Sequence, residues 1–365
     1  MARKISLLKC LLVVGMLYLI TLTMMLFWCS PTTLLPTKID DEHHSVLERL
    51  IVPNLTDVVD YLIKNQSLVL ESYLLKNKEN ISLEKNDNQN WGPHKLAIIV
   101  PFRERFEELM EFAPYLHQYL LKQHVRHEIY VINQIDTLRF NRGSLINIGA
   151  LESSLDCDYI AMHDVDLLPV SEELDYSFPG NGPYHIASPE LHPLYHYPTF
   201  IGGILLITKK HFSQVNGMSN RYYGWGREDD EFYVRLKKGG LLVTKSKIVN
   251  GTAENYLEIR RPKNISTGRK TFRHIHDRVK RVRDSANLFN QKEQTNRMDR
   301  ETGVHTVKYE VKARNSLSIN RAPVTLLEVK LSCDFLRTPW CLKKEDHHLL
   351  DTVVTPPKSG MKRQG

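Results

Sequence analysis

Three short segments of this chain combine residue types that metal-dependent sugar chemistry requires. One is Asp164-Val-Asp166, and another is the run Trp225-Gly-Arg-Glu-Asp-Asp-Glu231, in which a tryptophan lies between two glycines. The last is His274-Ile-His276. Carboxylate and imidazole groups together suit manganese or another borderline transition metal. The combination indicates a metal-dependent enzyme that acts on a sugar nucleotide.

The Asp164-Val-Asp166 motif has two interpretations. In an extended chain both carboxylates point to one side, so one can bind a divalent cation while the other bonds a ribose hydroxyl or a water molecule. A bare Asp-x-Asp is more often a solvated turn. The motif directly follows the apolar stretch 158–162, a predicted buried strand, and ligands of α/β proteins bind beyond the carboxyl ends of such strands. This position favours the metal site.

The acidic run predicts the start of a helix that ends at Gly239 and Gly240. Carboxylates in a first helical turn stabilise the helix dipole, which accounts for Glu228 and Asp230 without any function. It does not account for Trp225, whose aromatic face is suited to stacking on a sugar ring. We expect the helix start to keep Asp229 ionised, as a general base requires.

Histidines and arginines complete the predicted site. His274 and His276 share one face if the chain is extended there; otherwise they are surface residues of a basic loop. Four arginines fall near the predicted ligand edge, where they can neutralise a diphosphate or simply be solvated. They are Arg103, Arg105, Arg142 and Arg283.

Alternating strand and helix patterns position these residues. Apolar runs predict strands at 96–100, 128–133 and 158–162, separated by helical patterns at 104–123 and 144–155. This β-α-β-α-β order predicts an α/β fold with a doubly wound sheet.

The N-terminus predicts a membrane anchor. Residues 10–28 are uncharged and mostly apolar, and as a helix they span about 28 Å, close to the thickness of a bilayer core. Arg3, Lys4 and Lys9 precede them, which places the rest of the chain in the lumen. A cleaved signal peptide is the alternative. The predicted organisation is a cytoplasmic tail (1–9), a transmembrane signal-anchor (10–29), a lumenal stem (30–91), a catalytic domain (92–345) and a C-terminal tail (346–365).

Several features agree with a lumenal enzyme. Cys333 and Cys341 are eight residues apart and predict a disulfide in an oxidising compartment. Apolar residues of the stem recur at helical spacing, which predicts a helix for self-association or for packing on the catalytic domain. The net charge of +7 suits an anionic substrate, and the scattered basic residues form no nucleic-acid motif. The predicted N-glycosylation sites are Asn54, Asn65, Asn80, Asn250 and Asn264.

Over about residues 92–342 the chain resembles the β-1,4-galactosyltransferase family. The Arg-Glu-Asp-Asp-Glu-Phe and His-Ile-His segments resemble the branch that transfers galactose to xylose. The stretch 246–264 looks longer than is typical of the family. The resemblance rests on an ordered series of motifs: Pro101-Phe-Arg-Glu-Arg105, Phe140-Asn-Arg142, Asp164-Val-Asp166, Phe200-Ile-Gly-Gly203, Asn216-Gly-Met-Ser-Asn220, Trp225-Gly-Arg-Glu-Asp-Asp230 and His274-Ile-His276.

The resemblance implies a GT-A fold, a Golgi location, UDP-galactose as donor and manganese as cofactor, with xylosylated proteoglycan core proteins as acceptors. It implies metal ligation by Asp166, His274 and His276, and Asp229 as the catalytic base. The sugar site would comprise Trp225, Arg227, Glu228, Asp229 and Asp230. The donor nucleotide would contact Pro101, Phe102, Arg103, Glu104, Arg105, Phe140, Asn141, Arg142, Asp164, Val165, Tyr195 and Arg283.

Two other interpretations remain open from the residues alone. A galactosyl- or N-acetylgalactosaminyltransferase of the same fold that acts on N-acetylglucosamine would share these motifs. An inactive membrane-bound lectin or scaffold would keep the tryptophan and its acids but would not need the metal ligands.

Overall fold

The computed structural model describes residues 87–249, 252–265, 271–275, 297–346 and 348. They all belong to one compact unit that extends from Leu74. No helix within these ranges is long and apolar enough to cross a membrane. The predicted anchor and nearly all of the predicted stem lie outside the described residues.

Eleven strands and four α-helices are found in the described part of the chain. The sheet residues divide into one large sheet and two small ribbons. The strands are β1 (Lys95–Phe102), β2 (Arg126–Gln134), β3 (Tyr159–His163), β4 (Leu167–Pro169), β5 (Tyr184–His185), β6 (Ile204–Thr208), β7 (Val243–Val249), β8 (Thr252–Glu258), β9 (Phe272–His274), β10 (Tyr309–Ile319) and β11 (Ala322–Leu331). The helices are α1 (Phe106–Lys122), α2 (Arg142–Glu152), α3 (Lys209–Gln214) and α4 (Glu228–Lys238).

The large sheet has the strand order β10-β11-β2-β1-β3-β6-β5 and is mixed. The pairs β11–β2, β2–β1 and β1–β3 are parallel, which confirms the predicted β-α-β-α-β unit. The remaining pairs are antiparallel, so the sheet is not the purely parallel one that a doubly wound pattern suggests. At one end, Asn320 and Arg321 have positive φ angles of 47° and 72°, as a tight β10–β11 hairpin turn requires.

The centre of the sheet is buried on both faces. Every residue of β1 is buried, as expected for a parallel strand covered by helices. Helix α2 approaches this strand closely because Gly149 has no side chain. A Cβ atom at Gly149 would lie 2.2 Å from Cγ2 of Ile99. The close contact packs the second half of α2 directly against β1.

The amino end of β1 carries a separate cluster of charges. The ammonium group of Lys95 forms ion pairs with Asp87 at 3.2 Å and Asp156 at 2.8 Å, and also with Glu128. Asp87 pairs with Arg126 as well, so residues 87–91 are attached to the sheet. Glu128, Asp156 and Cys157 offer potential metal-ligand atoms within 4.8 Å of one another. Both carboxylates already form ion pairs with Lys95, and the cluster lies at the amino ends of the strands, opposite to the predicted site.

The predicted disulfide between Cys333 and Cys341 is present, with a Cα–Cα distance of 6.6 Å. The loop that it closes contacts two segments of the predicted site. The carbonyl of Cys341 accepts a hydrogen bond from the Arg139 amide at 2.8 Å, and Nε1 of Trp340 donates to the Arg221 carbonyl at 2.7 Å. The disulfide therefore supports the segment that leads into Phe140, Asn141 and Arg142. Cys157 is a free, buried thiol.

Candidate active site

The Asp164-Val-Asp166 motif forms a turn between β3 and β4, with the Leu167 amide donating to the Asp164 carbonyl at 3.4 Å. The expectation of an extended chain is therefore wrong, because the chain reverses at this point. His163 holds the turn: its Nδ1–H donates to the Asp164 carbonyl at 2.9 Å, and the hydroxyl of Tyr176 donates to its Nε2 at 3.1 Å. Burial lowers the pKa of His163 to about 4, so the ring is neutral.

Asp166 and His274 meet across the small β4–β9 ribbon. His274 is paired with Leu167, and the Ile275 amide donates to the Asp166 carbonyl at 2.8 Å. Nε2 of His274 lies 3.7 Å from Oδ1 of Asp166. Two ligand atoms that are each about 2.0–2.2 Å from one cation can be at most about 4.4 Å apart. The pair therefore fits a manganese ion. The third predicted ligand, His276, lies outside the described residues.

Arg105 and Arg142 bind the two carboxylates of the turn separately. Nη1 of Arg105 lies 3.1 Å from Oδ2 of Asp166, and Nε of Arg142 lies 2.8 Å from Oδ1 of Asp164. Arg142 also approaches Glu228 at 3.7 Å. Burial alone would lower the pKa of Arg142, but the acidic neighbours raise it above its ordinary value. Arg142 thus links the turn to the start of α4.

Arg103 has a supporting role in the structure. Its guanidinium donates to the carbonyls of Gln134, Asp136 and Leu138 at 3.0, 3.0 and 2.7 Å. These contacts fix the loop between β2 and α2, which leads to Phe140. Binding of the donor by Arg103 stays a prediction, as it does for Pro101, Phe102, Glu104 and Val165. Arg283 lies outside the described residues.

Asn141 joins the start of α2 to the segment before α4. Its Oδ1 accepts from the Ser144 amide at 2.9 Å, which caps α2, and its Nδ2 donates to the Asn220 carbonyl at 2.8 Å. The neighbouring Phe140 carbonyl accepts from the Gly224 amide at 2.8 Å. The predicted nucleotide segment and the predicted sugar segment are therefore bonded to each other.

A left-handed turn presents the acidic run. Gly224, Gly226 and Arg227 have φ angles of 87°, 96° and 77°, and Trp225 between them is 47% exposed. Helix α4 begins at Glu228, as the sequence predicts, with Asp229 and Asp230 in its first turn. Trp225 is thereby available for a sugar ring at the mouth of the site.

Glu231 has different partners from the other acids of the run. It is fully buried and accepts from Nε of Arg235 at 2.8 Å and from the Asp299 amide at 2.8 Å. Arg235 also donates to the carbonyls of Asn216 and Thr302. Glu231 and Arg235 therefore form a buried structural pair that fastens α4 to the segments around it.

Asp229 does not have the ionisation state expected of it. Burial raises the pKa of its carboxyl to about 8, the charges of Glu228 and Asp230 add to the rise, and Arg142 opposes it. Oδ1 of Asp229 does accept from the Asp230 amide at 2.9 Å, as a helix start allows. The prediction that the helix start keeps Asp229 ionised is nevertheless wrong, because burial among other carboxylates outweighs that contribution.

Gly202 and His185 support the position of Asp229, although the sequence predicted no role for either residue. Gly202 belongs to the quoted Phe200-Ile-Gly-Gly203 motif, and its carbonyl accepts from Nε2–H of the buried His185 at 2.8 Å. Burial lowers the pKa of His185 to about 3, so it remains neutral. No local pattern identifies His185, since its contact with Gly202 is made between distant parts of the chain.

The loop 188–200 supplies aromatic residues on the sugar side. Tyr195 packs against His192 and Phe200, with ring centroids 5.0 and 5.1 Å apart, and its amide donates to Nδ1 of His192 at 3.1 Å. Tyr197 packs against Phe200 with ring centroids 5.5 Å apart. Partial burial raises the pKa of the Tyr197 hydroxyl above its ordinary range, and the charges of Asp229 and Asp230 add to the rise. Sequence reasoning named Tyr195 but missed Tyr197.

Two buried polar atoms at the centre of the site have no hydrogen-bond partner among the described residues. They are Nη1 of Arg142 and Oε2 of Glu228. Unpaired buried polar atoms are rare in proteins and call for an explanation. A donor and an acceptor at this position match the needs of a polyhydroxyl ligand.

The predicted glycosylation sites do not belong to this site. Asn264 is exposed on the surface, while the other predicted glycosylation sites lie outside the described residues.

Comparison with known proteins gives the family. The model for the N-terminal region of glycosyl transferase group 7 matches residues 59–178, and that for the N-terminal domain of galactosyltransferase matches residues 182–275. Mouse β-1,4-galactosyltransferase 7 is 55% identical over 256 residues, which cover 70% of this chain and 73% of the mouse protein. Xylosylprotein 4-β-galactosyltransferase of Caenorhabditis elegans is 47% identical over 253 residues, or 68% of this chain and 82% of the nematode protein.

A similar solved structure indicates the same family as these relatives. It is a Drosophila β-1,4-galactosyltransferase 7 variant in complex with manganese, UDP-Gal and xylobiose. It matches with a TM-score of 0.62 and 50% identity, over 68% of this chain and 99% of that one. The mixed sheet is that of a GT-A-like glycosyltransferase fold. The chain therefore belongs to the β-1,4-galactosyltransferase family.

Proposed function

We propose that this enzyme transfers galactose from UDP-galactose to O4 of β-xylose on proteoglycan core proteins, with inversion at the anomeric carbon. The product carries the first galactose of the glycosaminoglycan linker. The observation that carries the proposal is the position of Arg142, which bonds Asp164 and also approaches Glu228. One guanidinium thereby joins the predicted metal side to the predicted sugar side, as a transfer reaction requires.

The donor side is formed by the turn after β3 and its neighbours. Asp166 and His274 hold manganese, with His276 as the predicted third ligand. When bound, the ion supplies positive charge that stabilises the departing diphosphate. Arg105 and Arg142 form ion pairs with the turn carboxylates. We expect them to reorient toward the diphosphate when it binds, since the cation then balances the carboxylates.

Asp229 is the general base. Inverting transfer is a single in-line displacement, so it needs a proton acceptor at the attacking hydroxyl and no covalent nucleophile. The raised pKa of Asp229 makes its carboxylate a stronger base than an ordinary aspartate. Trp225 lies exposed beside it and offers an apolar face to a sugar ring. The ring of Tyr197 packs against Phe200 and offers a second aromatic face near these acids.

The proposal extends to the compartment. The apolar run 10–28, with basic residues before it, supports a single-pass type II protein of the Golgi membrane with a lumenal catalytic domain. N-glycosylation at the five sequons and self-association through the stem belong to the same proposal. Sensitivity of the full chain to an N-glycosidase, together with its resistance to alkaline extraction from membranes, tests the topology.

The activity is tested with the full-length chain, UDP-galactose and manganese. Transfer to a β-xyloside is compared with transfer to a β-N-acetylglucosaminide. Strong transfer to the xyloside alone, abolished by a chelator, is the expected result. Preference for the N-acetylglucosaminide would contradict the proposed acceptor. Binding of UDP and manganese without transfer to either sugar would contradict the proposed reaction.

A further inference from the structure

Arg261 connects two segments that are distant in sequence. It follows strand β8, and its side chain is only 10% exposed. Nη1 of Arg261 lies 2.6 Å from Oε1 of Glu190 and 3.1 Å from Oε1 of Glu258, while Nη2 donates to the Pro198 carbonyl at 2.6 Å. A planar guanidinium can bond several acceptors in fixed directions at once, which a lysine cannot do. Arg261 therefore ties the loop 188–200 to the end of β8.

Arg261 is connected to the acids at the start of α4 through the loop 188–200. Pro198 directly follows Tyr197, whose ring packs against Phe200 with a centroid distance of 5.5 Å. A Cβ atom on Gly202 would lie 2.7 Å from the Phe200 ring and 2.8 Å from Oδ2 of Asp229, so Phe200 places this loop beside the proposed general base. Residues 196–199 are exposed, so burial contributes little to fixing this part of the loop. The hydrogen bond from Arg261 holds the backbone at Pro198, and the Phe200 amide donates to the Tyr197 carbonyl at 3.0 Å. The position of Tyr197 thus depends on a residue that does not itself reach the acids.

We infer that Arg261 is a positioning residue for the acceptor sugar, acting through Pro198 and Tyr197. The inference rests on the proposed function, because it assigns the surface around Tyr197 and Asp230 to the acceptor. Loss of the Arg261 contacts with Glu190 and Pro198 should let the loop 188–200 move. The predicted nucleotide site, which is formed by β1, α2 and the turn after β3, should keep its contacts. The expected signature is therefore a change in acceptor kinetics without a change in donor binding.

The experiment uses full-length Arg261→Met, Arg261→Lys and Glu190→Gln variants, with Arg260→Met as the matched control. Arg260 is the adjacent arginine, but it donates to the Gly182 carbonyl and stacks on Tyr184, away from the loop. The measurements are KM for a β-xyloside, kcat, the Kd of UDP in the presence of manganese, and the melting temperature. Misplacement of a binding group typically costs on the order of 10- to 100-fold.

For Arg261→Met we expect kcat/KM for the xyloside to fall by roughly 10- to 100-fold, mainly through KM, with the Kd of UDP within about twofold. Arg261→Lys and Glu190→Gln should give smaller losses of the same kind, because each keeps part of the tie. These two variants decide the question if Arg261→Met does not fold.

Three results would overturn the inference: an unchanged xyloside KM in Arg261→Met, an equal loss of UDP affinity, or the same kinetic change in Arg260→Met. Failure of the proposed function itself would give a different result from these three. If the unmodified chain transfers no galactose to the xyloside although it binds UDP and manganese, the proposed function is wrong and the inference falls with it.

Discussion

Gly202 lies directly against the carboxylate of Asp229, so that a Cβ atom added to Gly202 would be only 2.8 Å from Oδ2 of Asp229. The same Cβ would lie 2.7 Å from the ring of Phe200. Distances below 3.0 Å force a shift of one of the partners. The absence of a side chain at Gly202 therefore leaves room for the carboxylate of Asp229, the proposed general base, and His185 donates a hydrogen bond to the Gly202 carbonyl.

Gly202→Ala should displace the Asp229 carboxylate and lower kcat by roughly 10- to 100-fold, the usual result of misplacing a reacting group. Binding of UDP and manganese should change little, because the clash is not with the metal ligands. Steady-state kinetics with a β-xyloside and calorimetric UDP titration measure the two effects. Gly180→Ala is the control, since its nearest neighbour is the ring of Phe178 at 3.2 Å. Full activity in Gly202→Ala would show that the base tolerates displacement.

Asp229→Asn removes the proton acceptor and should lower kcat by roughly 10²-fold or more. Since the unmodified enzyme must lose a proton from Asp229 to act, its kcat/KM should rise with pH through this group. The variant should lack that ascending limb. Asp175→Asn, a change at an exposed aspartate, should leave the profile intact. A variant with normal turnover, or with the same limb, would exclude Asp229 as the base.

The raised pKa of Asp229 also predicts a pH-dependent cost in stability. Its folded-state pKa of about 8 is above the ordinary 3.8, so the folded state binds the proton more readily than the unfolded chain. The resulting stabilisation is complete below about pH 4 and is lost as the pH rises toward 8. Without manganese, Asp229→Asn should therefore gain stability relative to the unmodified chain between these values.

Urea unfolding at a series of pH values, in the presence of a chelator, measures this difference. Asp175→Asn should show no such trend, because it lies on the surface far from the acidic cluster. A difference in the free energy of unfolding that stays constant from pH 5 to 8 would contradict the raised pKa. The burial that disfavours the charged carboxylate in the folded protein, together with repulsion from Glu228 and Asp230, is also what makes Asp229 a stronger base.

His274→Ala should weaken manganese binding at least about tenfold, since even the supporting partners of metal ligands contribute 10- to 100-fold. Activity at saturating manganese should recover in part, because Asp166 remains. The apparent affinity for manganese is read from the metal dependence of turnover. His305→Ala, an exposed histidine bonded to Ser213, is the control. An unchanged manganese requirement in His274→Ala would remove this residue from the ligand set.

Glu231→Gln should destabilise the fold rather than the chemistry. Glu231 and Arg235 are both buried, and loss of one charge from such a pair typically costs about 3–5 kcal/mol. The free energy of unfolding measures the cost directly. Glu301→Gln is a suitable comparison, because Glu301 is exposed and its pair with Arg337 should contribute about 0–1 kcal/mol. Equal effects of the two substitutions would contradict the structural role of Glu231.

The parallel centre of the sheet could be predicted because its strands carry a strong local signal. The apolar run 96–100 lies within β1, where every residue is buried. Strand β10 gives no such signal. Its side chains are mostly exposed, and within the described ranges β11 is its only partner, so its sequence shows neither a continuous apolar run nor a clean alternation. The mixed character of the sheet was therefore beyond the reach of pattern reasoning.

The residues of the candidate site likewise include some that the sequence predicts and others that it does not. Asp166, His274 and the acids at the start of α4 stand in compact motifs, and the structure brings each of them to one edge of the sheet. The ionisation of Asp229 depends on burial and on three-dimensional neighbours, which a helix-start argument worth about 0.3–1 kcal/mol does not include. Tyr197, Gly202 and His185 reach the site through tertiary contacts between loops, and no local spacing signals them.

The disulfide loop has a consequence for biosynthesis. The Cys341 carbonyl holds the Arg139 amide, and β11 lies beside β2 within the sheet. The segment predicted to bind the nucleotide is therefore supported by residues that are synthesised long after it. A nascent polypeptide that has not yet gained residues 333–341 lacks these contacts. We therefore expect synthesis of the 333–341 loop and oxidation of Cys333 with Cys341 to precede donor binding, so that activity is acquired only after this loop has closed.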